Sequence, residues 1–233
     1  MTRSPRRRLG CLIGSTLAVL VVVGGALLAD RVTHGIAEDA AADAVRSRLS
    51  ATDLAVRIDG FPFLTQVVGG TLDDVHLAAS GAVLQGLEVT DLDVAASGVA
   101  IRGTRGAEHV VATATVSTAV LQTLLRQKTG WDLELTVDGE TLVAGGSLAG
   151  VPVSVGLTVA PAGAEGLTAT ITGATLAGLT IDAGSLPDGI AGRLTELGVV
   201  DELPAGASIT GATVAADGLH LVVELDDITL DQL

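Results

Sequence analysis

A period of two constrains this chain more than any other feature. In Asp132–Asp138, Leu133, Leu135 and Val137 face one way, with Asp132, Glu134, Thr136 and Asp138 opposite. In Val151–Ala160, Val151, Val153, Val155, Leu157 and Val159 alternate with Pro152, Ser154, Gly156, Thr158 and Ala160. Leu219, Leu221, Val223 and Leu225 alternate with His220, Val222, Glu224 and Asp226. Further candidates are Leu54–Asp59, Val75–Ser80, Leu87–Ala95, Val110–Val116, Leu167–Thr172, Leu176–Asp182 and Ser208–Ala215. Side chains of a strand project alternately to its two faces, so each run reads as a strand with one apolar face. About ten such strands without a βαβ order predict antiparallel sheet, curved or closed around an apolar interior. The 30 glycines supply turns between short segments, and a hydrophobic content of 48% is enough for a core.

Two stretches depart from the alternation. In Asp30–Leu49, Val32, Ile36, Ala40, Val45 and Leu49 lie on one side of a helical wheel. His34, Glu38, Asp39, Asp43, Arg46 and Arg48 lie mostly on the other, which predicts an amphipathic helix. Ser117–Lys128 is the second. Ser117 is a good N-cap, Val120, Leu121, Leu124 and Leu125 form a stripe, and Arg126, Lys128 and Gly130 make a stop. The expected class is α+β, with a curved, mostly antiparallel sheet wrapped around two helices.

One similarity within the chain bears on its layout. Asp53-Leu-Ala-Val-Arg-Ile-Asp-Gly60 resembles Asp132-Leu-Glu-Leu-Thr-Val-Asp-Gly139, and each follows a predicted helix. Gly69-Gly70-Thr71-Leu72 follows the first and Gly145-Gly146-Ser147-Leu148 the second. Two related halves would explain this, and so would chance in a Gly-, Asp- and Thr-rich sequence. The intervening spacers are Phe61–Val68 and the shorter Glu140–Ala144.

The N-terminus is organised differently. Arg3, Arg6, Arg7 and Arg8 precede Leu9–Ala29, a stretch without a charge. At about 1.5 Å per residue these 21 residues span a hydrocarbon core of roughly 30 Å. Residues 1–29 are therefore read as a cytoplasmic Arg-rich tip and a transmembrane anchor. Residues 30–233 are expected to lie outside the cytoplasm, in the cell envelope. The competing reading is a cleaved signal peptide and a secreted protein. Its apolar region is normally shorter, and Leu27-Leu28-Ala29 is a poor small-x-small cleavage site. Cys11 is the single cysteine, so the outer domain has no disulfide.

Beyond residue 29 the chain carries nine basic and 27 acidic residues, a net charge of −18. Nucleic acid and simple electrostatic adhesion to anionic lipid both need basic clusters, so this balance disfavours them. A reaction is equally hard to find. His76 and His220 fall on the polar faces of their strands, and no His or Cys cluster offers a metal site. Gly146-Ser147-Leu148-Ala149 is not a nucleophile elbow. Asp73-Asp74 and Asp226-Asp227 are adjacent acids that a strand turns to opposite faces. No catalytic residue and no cofactor are expected. One Trp, two Phe and no Tyr cannot build the stacking platforms of a sugar or single-strand nucleic-acid groove. Abundant Val, Leu, Ile and Ala suit an alkyl chain, whose transfer is favourable by about 0.8 kcal/mol per buried methylene.

Both phenylalanines stand in one run, Gly60-Phe61-Pro62-Phe63-Leu64-Thr65-Gln66, followed by Gly69-Gly70. Preceded by an Arg-rich N-terminus, a membrane segment and an acidic Ala-rich helix, this run resembles the LmeA-like family of actinobacterial envelope phospholipid-binding proteins. The resemblance covers about Asp30–Leu230 and is strongest in the first half. It implies an elongated helix-and-sheet fold with an apolar cavity, similar to the tubular lipid-binding superfamily. It further implies binding of phospholipids, inositol lipids among the candidates, and a part in envelope lipid or glycolipid homeostasis.

The candidate lipid-binding residues are Phe61, Pro62, Phe63, Leu64, Val67 and Val68 on the first spacer, with Leu121, Leu124 and Leu125 on the second helix. Two roles compete for the spacer. In one, Phe61 and Leu64 cap the core where the strand turns into a short helical segment, Leu64–Val68. In the other, Pro62 stiffens a loop whose apolar tip lines a cavity mouth or enters the bilayer interface. Arg102 and Arg105, in a short cationic loop, are candidates for a lipid phosphate. An envelope scaffold with a fully packed interior is the alternative to lipid binding.

Overall fold

The computed structural model describes residues 33–46, 50–84, 86–148, 150–181 and 206–229. The Arg-rich tip and the Leu9–Ala29 segment lie outside the described residues. Helix α1 spans residues 33–46. It is followed by β1 (Ala51–Thr52), β2 (Ala55–Asp59), α2 (Phe63–Gly69), β3 (Thr71–Leu84), β4 (Leu87–Ala100) and β5 (Gly106–Ser117). Helix α3 (Thr118–Thr129) leads into β6 (Leu133–Asp138), β7 (Thr141–Leu148), β8 (Val151–Pro161), β9 (Leu167–Leu176) and β10 (Leu179–Ile181). Strands β11 (Ala207–Ala215) and β12 (Gly218–Thr229) complete the described chain.

The protein is mostly β, as the alternation requires, but the strands divide into two antiparallel sheets. A 7-stranded sheet has the order β1-β3-β4-β5-β12-β11, with β2 also paired to β3, and a 5-stranded sheet runs β10-β9-β8-β7-β6. The antiparallel pairing stands, and the expected sheet around two helices is corrected to two sheets with three helices. Alternation shows which face of a strand is apolar, but it carries no information on which strand lies beside it. The partition is set by β12, which returns to pair with β5 from Gly218↔Ser117 to Thr229↔Gly106. The sheets meet where Ile209 N–H donates to the Gly163 carbonyl at 3.0 Å. They share one core, to which the first sheet gives Leu92, Val116, Ile209 and Leu219 and the second Leu135, Ala144, Val155 and Leu157.

The first sheet's inner face follows directly from the register. Val56, Leu77, Val94, Ala112, Val223 and Ile209 stand opposite one another across six strands. The next such row is Ile58, Val75, Ala96, Val110, Leu225 and Ala207. Two wholly apolar rows are what six strands of period two give when their registers agree.

The helices differ in how they are used. Helix α3 begins as predicted, with the Ser117 hydroxyl accepting from Val120 N–H at 3.4 Å. Gly130 ends it at φ 73°, and Leu121 and Leu125 enter the shared core. Helix α1 lies along β2. Its predicted stripe is corrected in part: Ile36 is 64% exposed and Ala40 is exposed, Val45 packs on the core, and Val32 and Leu49 lie outside the described residues. The inward residues are His34, Ala37, Glu38, Ala41, Ala42 and Val45, spaced as one helical face. The turn of the helix has a polar cause. β2 pairs only with β3, so the peptides on its other edge need partners. His34 Nε2 donates to the Ile58 carbonyl, Glu38 Oε1 accepts from Ile58 N–H at 2.8 Å, and Arg46 donates to the Leu54 carbonyl at 2.8 Å. Gln122 of α3 does the same for the second sheet's edge strand β6, accepting from Leu135 N–H at 3.4 Å.

Helix and meander thus occur twice, as α1–β2–β3–β4–β5 and as α3–β6–β7–β8–β9. The two Gly-Gly-hydroxyl-Leu groups are not equivalent, however. Gly69-Gly70 ends α2 ahead of β3, whereas Gly145 and Gly146 lie within β7 opposite Glu134 and Leu133. β6 and β7 join through Gly139 and Glu140, since Asp138 pairs with Thr141. In the first half α2 occupies the place of that tight turn.

Candidate functional site

Between α3 and the second sheet lies a pocket. From the helix it is lined by Leu121, Leu124, Leu125 and Lys128, from the sheet by Leu135, Leu142, Leu157, Val159, Leu167 and Ala169, and from β12 by Leu219. Each lining position follows from local structure. Leu121, Leu124, Leu125 and Lys128 are i, i+3, i+4 and i+7 on one helix face, and Leu157 and Val159 are successive inward positions of β8. The space totals about 620 Å³ counted out to its open mouth. The part open to the centre of a water-sized sphere is about 50 Å³, room for a few waters. A short stretch of hydrocarbon fits as the walls stand, and a longer one needs α3 to part from the sheet. Apart from Lys128 this lining is wholly aliphatic, so it selects for apolar bulk.

Of the sequence-predicted residues, Leu121, Leu124 and Leu125 come together in this pocket. The six candidates on the first spacer, and Arg102 and Arg105, do not join them. Leu219 is registered with Val116, ten strand positions from Gly106, or roughly 33 Å along β5. Phe61–Val68 lies at the Gly106 end, where Ile101 N–H donates to the Gly70 carbonyl at 2.9 Å. There a second, smaller cluster forms from Ile58, Phe63 and Leu72, with Ala37, Val67, Val75, Val99 and Ile101 against it. Phe63 is 3% exposed, and its ring stacks on His34 with centroids 5.0 Å apart. The core-capping pair is corrected accordingly, since Phe63 is buried while Phe61 and Leu64 face outward. Pro62 is exposed, and the Phe61–Pro62 peptide is cis.

The rest of the Gly60–Gly70 run fixes this turn. Gln66 is buried and its Oε1 accepts from Asp73 N–H at 2.9 Å, which ties α2 to the start of β3. Its Nε2 has no partner among the described residues. Gly60 sits at φ 105°, and a Cβ there would come within 2.3 Å of that Nε2. Gly70 caps α2 at φ 85°, and the Arg102 stem crosses it. Arg102 and Arg105 are both exposed, and Arg102 donates to the Val68 carbonyl at 3.0 Å. The two cations therefore accompany α2 and not the pocket.

The sequence reading did not single out Lys128, Leu135, Leu142, Leu157, Val159, Leu167, Ala169 or Leu219 as site residues. For half of them the signal is present, because alternation already turns Leu135, Leu157, Val159 and Leu219 inward. What was missing was the pairing that sets those faces beneath α3.

Catalytic geometry comes closest to assembling on β12. Asp217 Oδ1 accepts from His220 Nε2 at 2.8 Å, and His220 Nδ1 lies 3.3 Å from the Thr115 hydroxyl. Thr115 is 2% exposed, so its oxygen cannot meet a substrate. The His220 hydrogen bond holds the Asp217 carboxyl below its ordinary 3.8, with the residue's own backbone hydrogen bond acting the same way. Among the described residues no group of three or more His, Cys, Asp or Glu could hold a metal ion. Among them, too, no helix is long and apolar enough to cross a membrane.

The described chain is thus a mostly β scaffold with an aliphatic pocket beneath a helix. The chain belongs to the LmeA-like phospholipid-binding family, whose model matches residues 28–224. Membership suggests that the ligand is a phospholipid. No curated protein and no solved structure matches the chain.

Proposed function

We propose that this protein is anchored in the cell membrane by residues 9–29 and holds phospholipid acyl chains outside the cytoplasm. The chains lie in the aliphatic pocket beneath α3, and the protein acts in envelope lipid or glycolipid homeostasis without catalysing a reaction. One observation carries the reading: a chain of this family has a pocket whose lining is aliphatic except for Lys128. Each methylene placed there is worth about 0.8 kcal/mol, so ten or more outweigh a modest ordering cost without a specific polar contact. The two-sheet core with its aliphatic interior is also compatible with an elongated, tubular lipid-binding type of fold. Native mass spectrometry of detergent-extracted protein tests the proposal. Bound phospholipid is expected, and inositol lipid headgroups are identified by the mass of the released lipid. Protein that carries no lipid and takes up none when phospholipid is added would sink it.

A further inference from the structure

The α2 end of the molecule carries an apolar surface that the pocket does not use. Inward, α2 presents Phe63, Gln66 and Val67 to the small cluster. Outward, Phe61 is 65%, Leu64 38% and Val68 73% exposed. Leu64 and Val68 are one helical turn apart on the same face. The polar residue of that face, Thr65, turns its hydroxyl back to the Pro62 carbonyl at 2.7 Å. A helix at the surface with apolar residues on both sides does not need its outer face for folding. The second half of the molecule makes the corresponding hairpin with two residues and no helix at all.

Two observations identify what covers this face. The first is where the rest of the chain enters. His34, in the first turn of α1, stacks on Phe63. Ala29 ends the uncharged Leu9–Ala29 stretch five positions earlier, and chain connectivity alone keeps it within roughly 18 Å of His34. The apolar segment therefore joins the domain at its α2 end. The second is charge. Residues 60–72 contain no acid, Asp59, Asp73 and Asp74 lying on the strands behind them, and the adjoining turn supplies Arg102 and Arg105. Exposed apolar side chains beside arginines, next to the entry of a membrane-length segment, suit the hydrocarbon–headgroup boundary.

We infer that Phe61, Leu64 and Val68 seat on the outer surface of the lipid bilayer, with Arg102 and Arg105 at the level of the phosphates. The inference rests on the membrane anchoring proposed above. It sets the first sheet upright, with the α2 end in the bilayer and the β11–β12 turn far from it.

Depth-dependent quenching in the full chain tests this. Cys11→Ser removes the native thiol, and Phe61→Cys, Val68→Cys or Ala216→Cys carries a fluorescent label in phosphatidylcholine vesicles. Ala216 is an exposed residue of the β11–β12 turn. The labels at 61 and 68 should lose most of their fluorescence to doxyl-labelled lipid, and the label at 216 should keep its own. Labels at 61 and 68 that respond only to a water-soluble quencher overturn the seat. Labels shielded from both quenchers also overturn it, and assign the face to a second copy or another protein. Equal lipid quenching at 216 overturns the upright orientation. Protein that fails to float with the vesicles overturns the anchor and the seat together. Native mass spectrometry on the same samples keeps the pocket separate: lipid-free protein with quenched labels sinks the pocket alone, and lipid-loaded protein with wet labels sinks the seat alone.

Discussion

Phe61 and Phe63 are two positions apart and answer to different physics. Phe63 belongs to the small cluster, whose buried members among the described residues are Ile58, Phe63 and Leu72. Truncating it to alanine removes that cluster's largest side chain, and the expected cost is about 3 kcal/mol, the low end for a buried phenylalanine. Phe61→Ala should change stability by no more than about 0.5 kcal/mol, as for other exposed sites. Thermal or urea unfolding of the two variants checks the pair, and equal effects would contradict the division. The sequence showed the oddity of two phenylalanines around one proline but not which of them turns inward, because the run is too short for any periodicity. His34 and Glu38 were misassigned for a related reason. A helical wheel sorts residues by polarity, and it cannot show that an edge strand's peptide requires polar partners. Asp217 offers a pH test at the same scale. Its carboxyl is held below 3.8 by His220, so the stability it lends is present above the unfolded value and lost as pH falls through the folded one. Carbon NMR of the carboxyl should give a midpoint under 3.8 in the folded protein, and one that rises towards that value in His220→Ala.

At the level of elements, each half of the protein uses a helix to cover the open edge of the strand that follows it. Glu38→Ala should leave the Ile58 N–H without its acceptor, at a cost of about 1–2 kcal/mol, and speed hydrogen exchange at that amide. Unchanged exchange would show that water replaces the carboxylate freely. Helix α3 was legible almost to the residue, since a serine cap, a leucine stripe and a glycine stop are all local signals. β7 was not, because Gly145 and Gly146 look like a turn until β6 and β8 flank them. β3 and β4 run to 14 residues each, beyond their predicted ends, where alanine, serine and glycine dilute the alternation. The pocket belongs to this scale too, since it exists only because α3 lies across β6–β9. Leu124→Trp should fill it at a packing cost of about 1–3 kcal/mol. It should also remove co-purified phospholipid. A variant that retains its lipid would place the ligand elsewhere, with the half-buried inner rows of the first sheet as the next site to test.

For the molecule as a whole, the proposed lipid binding raises the question of how a domain of net charge −18 would approach phospholipid, whose anionic kinds it repels. Arg102 and Arg105 at one end and Lys128 at the pocket are local exceptions in an acidic field. Acyl-chain binding is driven by removing hydrocarbon from water, which moderate salt leaves nearly untouched. Approach to a charged vesicle is different, because at about 0.1 M salt fields between exposed charges fade over roughly 10 Å. Uptake from phosphatidylcholine vesicles should therefore be nearly independent of ionic strength, and uptake from phosphatidylglycerol vesicles should rise as salt is added. Both are read as lipid bound per protein by native mass spectrometry. If uptake from anionic vesicles instead falls with salt, a cation controls the step. Lys128→Gln and Arg102→Gln/Arg105→Gln then decide between the pocket and the α2 end, because only the controlling site's variant would abolish the fall.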